Sequence, residues 1–199
     1  MSKITELICT KTWSLVKKAA RRTIGKDGAG LEPTPEWKAK MLLAEHSPIR
    51  ELEFHWTWVD IRQWVTAHLV RHHEGCEKYV HSQRSDRNDK VGDRDQLPQG
   101  ALNEMDMTAN AQALINISRK RLCACASPET REAWKQVKSE IAKTEPILAE
   151  KMVRECVYRG FCPEFFSCCG YCNTQAYQDE LKVYRNVHYD KESLQSQDN

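Results

Sequence analysis

No apolar run in the sequence approaches the roughly 20 residues of a membrane-spanning helix, so no membrane partner is expected. Nor is there a surplus of either charge. The 30 Lys+Arg stand against 28 Asp+Glu, a formal net charge of +2, and the sequence pI is near 8.0. Without a chain-wide basic field, nucleic acid is not an expected partner, and any bound anion must be held by a local cluster. The opening MSKITELICTKTWSLVKKAARR lacks the unbroken apolar core of a signal peptide because Glu6, Lys11, Lys17 and Lys18 interrupt it, and the expected location is cytoplasmic. Glycine is sparse, 8 residues in all, and neither a Walker loop nor a G-x-G-x-x-G fingerprint occurs. A P-loop and a Rossmann phosphate site are thereby excluded.

What is present suits one globular domain spanning 1–199, with 40% hydrophobic and 29% charged residues. A chain of this length buries roughly 70% of its unfolded surface, so its stability requires no staple. Cysteine is plentiful instead. Five of the nine (Cys156, Cys162, Cys168, Cys169 and Cys172) mark a Cys-rich tail over about 156–199. Cys169 and Cys172 have the two-residue gap of a zinc knuckle, but the other intervals are irregular for a zinc ribbon. The expectation is reduced thiols and no metal site.

Ile4, Leu7, Ile8, Leu15 and Val16 recur at helical spacing, with Gly25, Gly28 and Gly30 as terminators. Thr34 followed by Pro35 and Glu36 predicts a capped helix through Trp37, Met41 and Leu42. From Leu52 to Trp58 the period changes to two, with Leu52, Phe54, Trp56 and Trp58 on one face, which predicts a strand. Asp60 then reads as the cap of a helix presenting Ile61, Trp64, Val65, His68 and Leu69. Residues 85–92 read as a loop. Further helices are predicted over Ala109 to Lys120, from Ser127 onward, and anew at Pro146, while the terminal KESLQSQDN reads as frayed. Trp56, Trp58 and Trp64 read as core and Cys76 as a small buried residue on a strand.

The middle of the chain concentrates Arg71, His72, His73, Arg84, Arg87, Arg94, Arg119 and Arg121, interleaved with Ser82, Gln83, Asn110 and Asn116. Guanidinium forks suit phosphate oxygens and pyrimidine carbonyls, and the amides and hydroxyl add neutral donors. An anionic nucleotide is the ligand this inventory suits.

Order and spacing carry the reading further. Arg71-His72-His73, eight residues, then Ser82-Gln83-Arg84 is similar to the R-H-R, seven residues, S signature of the flavin-dependent thymidylate synthases. Upstream, Ser47-Pro48-Ile49 and the aromatic strand stand where that family has an S/T-P-x segment and a strand. Downstream, Arg94-Asp95-Gln96-Leu97-Pro98 resembles its R-x-x-L-P, and Asn110, twelve residues past Pro98, opens NAQALINISRKR, which resembles the segment that follows in the family. The resemblance covers about residues 41–140.

It implies a ThyX-like α+β fold, an antiparallel sheet flanked by helices, assembled as a homotetramer with active sites between subunits. The implied activity is reductive methylation of dUMP to dTMP with FAD as cofactor and NADPH and methylenetetrahydrofolate as co-substrates. Arg71, Ser82, Gln83, Arg84 and Arg94 then correspond to nucleotide-binding positions, Arg94 reaching in from a neighbouring subunit, and His68 stands where a nucleotide-holding glutamine is usual. Arg121 corresponds to the catalytic arginine at the pyrimidine ring. Ser47, Arg71, His72, His73, Asn110, Gln112 and Asn116 correspond to flavin-side positions. The chain departs from the pattern at several of these. His73 and Gln112 replace arginines, Tyr79-Val80-His81 lacks the acidic residue expected before Ser82, His46 directly precedes Ser47, and Arg50 stands where an acid is common. Two alternatives therefore stay open: hydroxymethylation or another C5 modification of a pyrimidine deoxynucleotide, and nucleotide binding without catalysis.

Overall fold

The structure is a computed structural model that describes residues 2–27, 32–87, 92–165 and 167–189. Gly28, Gly30, the middle of the 85–92 loop and the terminal KESLQSQDN lie outside the described residues. An antiparallel sheet is built from β1 (Lys3–Lys11), β2 (Glu53–Arg62), β3 (Cys76–Val80) and β4 (Leu102–Asn110), in the order β1-β2-β4-β3. Around it run α1 (Trp13–Arg22), α2 (Pro35–Leu43), α3 (Gln63–Leu69), α4 (Ala111–Arg121), α5 (Pro128–Thr144), α6 (Pro146–Lys151), α7 (Glu155–Arg159) and α8 (Gln175–Arg185). The α+β expectation holds.

Two bulges explain where the elements depart from their expected form. The first segment is a strand up to Lys11 and becomes helical only at Trp13. Its register against β2 slips between Thr5 and Ile8, around Glu6 at φ 53°. A bulge adds one residue to the period-two pattern, so Ile4 and Leu7 share the core-facing side at a spacing that mimics a helix. Asp60 likewise caps no helix. It sits at φ 56° where the β2/β4 register slips between Trp58 and Ile61, so β2 continues to Arg62 and α3 starts at Gln63.

The helix starts expected at Thr34 and Ser127 are present. Thr34 and Ser127 accept from the backbone N–H groups of Trp37 and Thr130. Asn110 does the same for Ala113, so α4 opens at Ala111 rather than Ala109, the residues before it belonging to β4. Pro146 begins a new helix.

Phe54, Trp56 and Trp58 of β2 and Met105, Met107 and Ala109 of β4 are buried. The indole rings of Trp56 and Trp58 stand 6.2 and 6.3 Å from that of Trp134 on α5, whose Nε1 donates to Ser118 Oγ on α4 at 2.9 Å. This contact fixes α4 and α5 to one face of the sheet. The other face is polar, with Thr57 donating to Asp106 at 2.7 Å and His55 paired with Thr108 at 3.1 Å. Trp64 is half-buried at the core's edge, and Cys76 is buried on β3. A smaller second cluster gathers Val153, Cys156, Val157, Tyr177 and Tyr184 between α7 and α8. The tail thus contains a helix, α8, that the fading periodicity after Tyr158 did not indicate. No helix among the described residues is long and apolar enough to cross a membrane.

Candidate functional site

Strand order creates the site. Because β4 lies between β2 and β3, the turn after α3 and the start of β3 meet the junction of β4 and α4 at one end of the sheet, Cys76 pairing with Ala109. Gly75 seals that junction. Its carbonyl accepts from Asn110 N at 2.9 Å, its φ is +69°, and a Cβ there would stand 2.6 Å from the Asn110 amide. Only glycine meets both demands without strain.

Arg121, at the last turn of α4, reaches back to this region. Its Nε donates to His72 Nε2 at 2.9 Å and its Nη2 to the His68 carbonyl at 2.6 Å. The first bond requires His72 to be neutral with its proton on Nδ1. Burial, and then the charges of Arg121, Lys78 and His73, pushes the His72 pKa down to about 4. His68 is also lowered, by burial and then by Arg121 and Arg71, and its Nδ1 pairs with Thr130 Oγ1 at 2.9 Å. Arg121 itself lies below its ordinary value because of burial and then the charge of Arg71. Lys78 donates to the His72 carbonyl and, at 3.3 Å, to the Cys76 carbonyl.

The result is a cluster of Arg71, His68, His72, Lys78 and Arg121, with exposed His73 at its rim. Among the described residues none of them pairs with a carboxylate. Other cations do, Arg84 with Asp86 at 2.5 Å and Arg119 with Glu45. Unneutralised cations held by neutral acceptors are suited to an incoming anion.

Other expected site residues lie elsewhere. Arg84 bonds Asp86 through two nitrogens, and its N–H donates to Ser82 Oγ at 3.3 Å. Gln83 is half-buried beside them. Exposed Arg94 stands 3.7 Å from Asp95 on a 3-10 turn (Arg94–Gln96). Among the described residues no hydrogen bond or ion pair joins Arg84 or Arg94 to Arg121. Gln112 donates to Glu45 Oε2 at 2.5 Å and to Asn116 Oδ1 at 3.3 Å, on the face of α4 opposite Arg121. Ser47 opens a 3-10 turn (Ser47–Glu51) and lines a cavity of about 500 Å³ with Lys17, Arg21, Trp37, Met41 and His46.

Two participants escaped the sequence reading. Lys78 shares the inward face of β3 with Cys76 and Val80, and the period-two placement of Cys76 already implied it. Glu45, the acidic partner of Gln112 and Arg119, carried no signal short of the fold.

No family model matches the chain, and no curated protein does. Solved structures match in fold. The UMP/dUMP methylase PolB from Streptomyces cacaoi bound with 5-Br dUMP gives a TM-score of 0.61 at 15% identity, covering 81% of this chain and 96% of that one. Flavin-dependent thymidylate synthase ThyX from Helicobacter pylori complexed with FAD and dUMP gives 0.60 at 15% identity, with coverage of 75% and 100%. PolB bound with 5-Br UMP gives 0.55 at 16% identity, with coverage of 76% and 94%. The chain has a ThyX-like α+β fold and a sequence far diverged from these enzymes.

Proposed function

We propose that the protein is an enzyme that alkylates C5 of a pyrimidine nucleotide, with dUMP as substrate and dTMP as product, in the manner of the FAD-dependent thymidylate synthases. The observation that carries this reading is Arg121, half-buried, aimed by His72 and the His68 carbonyl, and free of any carboxylate among the described residues. C5 of uracil attacks an electrophile more readily once N3 has lost its proton to solvent and the ring oxygens carry negative charge. A guanidinium already oriented and partly desolvated stabilises it without reorganising. Arg71 and Lys78 add charge for the phosphate end, and His72, neutral at physiological pH, holds Arg121 without competing for the anion. Ser82, Gln83, Arg84 and Arg94 serve the same nucleotide, Arg94 from a neighbouring subunit of a homotetramer.

The residues present fit a flavin in part. Arg71, His72 and His73 offer donors beside the nucleotide region, and Ser47 offers one at its cavity. Asn110, Gln112 and Asn116 are committed to the α4 cap and to Glu45, whose carboxylate disfavours a diphosphate on that face. FAD would therefore be held from the Arg71-His72-His73 side, where it would carry reducing power from NADPH to the one-carbon unit that methylenetetrahydrofolate donates. The same commitment of Gln112 and Asn116, with His73 in place of arginine, favours the second reading, a nucleotide-binding protein without flavin chemistry.

The test is mass spectrometry of nucleotides after incubating the protein with FAD, NADPH, methylenetetrahydrofolate and dUMP, with UMP in parallel. Product heavier by one methylene unit supports thymidylate synthesis. Product bearing a hydroxymethyl group, or formed only from UMP, redirects the activity within C5 modification. Unchanged dUMP that nevertheless binds, on folded protein, replaces the enzyme with the binding protein.

A further inference from the structure

Seven of the nine cysteines come together although up to 49 residues separate them in the chain. Cys123 and Cys125 follow α4 directly, and the ion pair of Lys120 with buried Glu155, at 3.4 Å, draws this turn against α7. The loop between α7 and α8 then folds over it. In that loop Cys168 Sγ lies 3.3 Å from Cys172 Sγ, and Cys162 lines the same cavity as both. The Gly170 N–H donates to Cys168 Sγ at 3.3 Å, with Gly170 at φ +80° to allow the turn. On the α4 side, Cys123 Sγ, Cys125 Sγ and a Glu164 carboxylate oxygen all lie within 4.8 Å of one another.

These groups enclose a cavity of about 10 Å³ whose lining includes Cys123, Cys156, Cys162, Cys168, Cys169 and Cys172. A space that small admits one water-sized sphere or ion and no organic ligand. Soft sulfur donors at this density select a soft or borderline cation. The end of the loop is anchored by Tyr171, whose ring lies 3.7 Å from the Arg154 guanidinium and whose hydroxyl donates to Glu180 at 2.7 Å. Among its described residues the loop contains no α-helix or strand between Arg159 and Gln175, and Phe161 and Phe165 are 58% and 92% exposed. Backbone N–H donation to a sulfur favours its thiolate form, the form a metal requires.

We propose that this cavity is a structural zinc site, with Cys162, Cys168 and Cys172 of the loop and Cys123 of the turn after α4 as its ligands. Cys125 and Glu164 lie within 4.8 Å of Cys123 and of each other as neighbouring donors, and Cys156 packs with Val153, Val157 and Tyr177 in the second apolar cluster. On binding, each ligating thiol releases its proton to solvent. The resulting negative charge faces Arg154 in the lining. A tetrahedral thiolate site of this kind contributes directly to folding. It pins the α7–α8 loop to the end of α4, two residues beyond Arg121. The reading is independent of the nucleotide chemistry.

The experiment is metal analysis of the full chain purified without added metal, followed by replacement of zinc with cobalt. About one zinc per chain is expected, with intense visible bands and a thiolate-to-cobalt charge-transfer band for the cobalt form, the signature of tetrahedral sulfur coordination. Cys168→Ser, Cys172→Ser and Cys123→Ser should each lose the metal and lower the midpoint of thermal unfolding, whereas Cys9→Ser on β1 should keep both. Should those variants misfold, cobalt titration of the metal-stripped parent chain still decides the matter. A folded parent with nine reactive thiols and no cobalt charge-transfer band would overturn the proposal, as would a mass two protons lower from a Cys168–Cys172 disulfide.

Discussion

The two sides of α4 carry the same kinds of side chain in opposite states. On one side Gln112, Asn116 and Arg119 are tied to one another and to Glu45, and the Arg119 guanidinium also stacks 3.5 Å from the Tyr158 ring. On the other, Arg121 is held, among the described residues, only by neutral acceptors and lies beside further positive charge. An arginine whose charge is matched inside the fold serves stability. One whose charge is left unmatched, at a cost in desolvation, is poised for a ligand.

Substitution of the two arginines should separate these roles. Arg121→Ala should lower turnover of dUMP by about 100-fold or more, the usual consequence of losing a preorganised donor to a developing anion, while leaving the unfolding midpoint nearly unchanged and bound FAD largely retained. Near-normal turnover in that variant would remove Arg121 from its assigned role. Arg119→Ala should do the reverse. Its side chain and that of Glu45 are only 15% and 20% exposed, so stranding the carboxylate should cost about 2–3 kcal/mol in urea unfolding and leave the folded fraction active. Loss of activity in proportion to Arg121→Ala, at unchanged stability, would erase the distinction between the two sides.

Gly75→Ala tests whether the junction that brings the sides together is geometric. An added methyl would meet the Asn110 amide at 2.6 Å in a left-handed conformation, and Asn110 also caps α4. A loss of about 2 kcal/mol is expected, with a weaker dUMP complex because the α4 entry shifts. Gly25→Ala is the control. Its φ of +70° is similar, but no described residue lies within 4 Å, so a comparable stability loss with unchanged dUMP affinity is expected there.

How much of this was legible in the sequence depended on whether the pattern was local. The period-two face of Phe54, Trp56 and Trp58 and the caps at Thr34 and Ser127 are decided by neighbouring residues, and they stand as expected. Both errors of element type share one cause. A bulge converts a spacing of two into three, so Ile4 to Leu7 and Trp58 to Ile61 imitate helical periodicity inside strands. At the site, ordered landmarks pointed to the Arg71–His73 turn and Arg121, and the fold joins them. The pairing of Gln112 with Glu45 spans 67 residues, and the turn of Cys123 and Cys125 meets the tail cysteines only because α4 packs on α7. Such contacts leave no trace in local spacing.

The finest test of the unmatched side is its pH dependence. The folded His72 titrates near 4, below the ordinary 6.5, because burial and then Arg121 oppose its protonation. Between those two values the unfolded chain binds a proton that the folded chain does not, so stability falls as pH drops from about 6.5 to 4 and the contribution levels off below that. The stabilising contribution is complete above 6.5. Protonation also fills the Nε2 lone pair that receives Arg121 Nε–H, so the tether breaks near pH 4. His72→Asn should flatten this part of the stability profile and loosen Arg121, raising KM for dUMP less than Arg121→Ala lowers turnover. Nitrogen-detected NMR of the His72 ring gives the direct reading. An unprotonated Nε2 down to about pH 4 is expected, and a midpoint near 6.5 would show that Arg121 is not held by His72 at all.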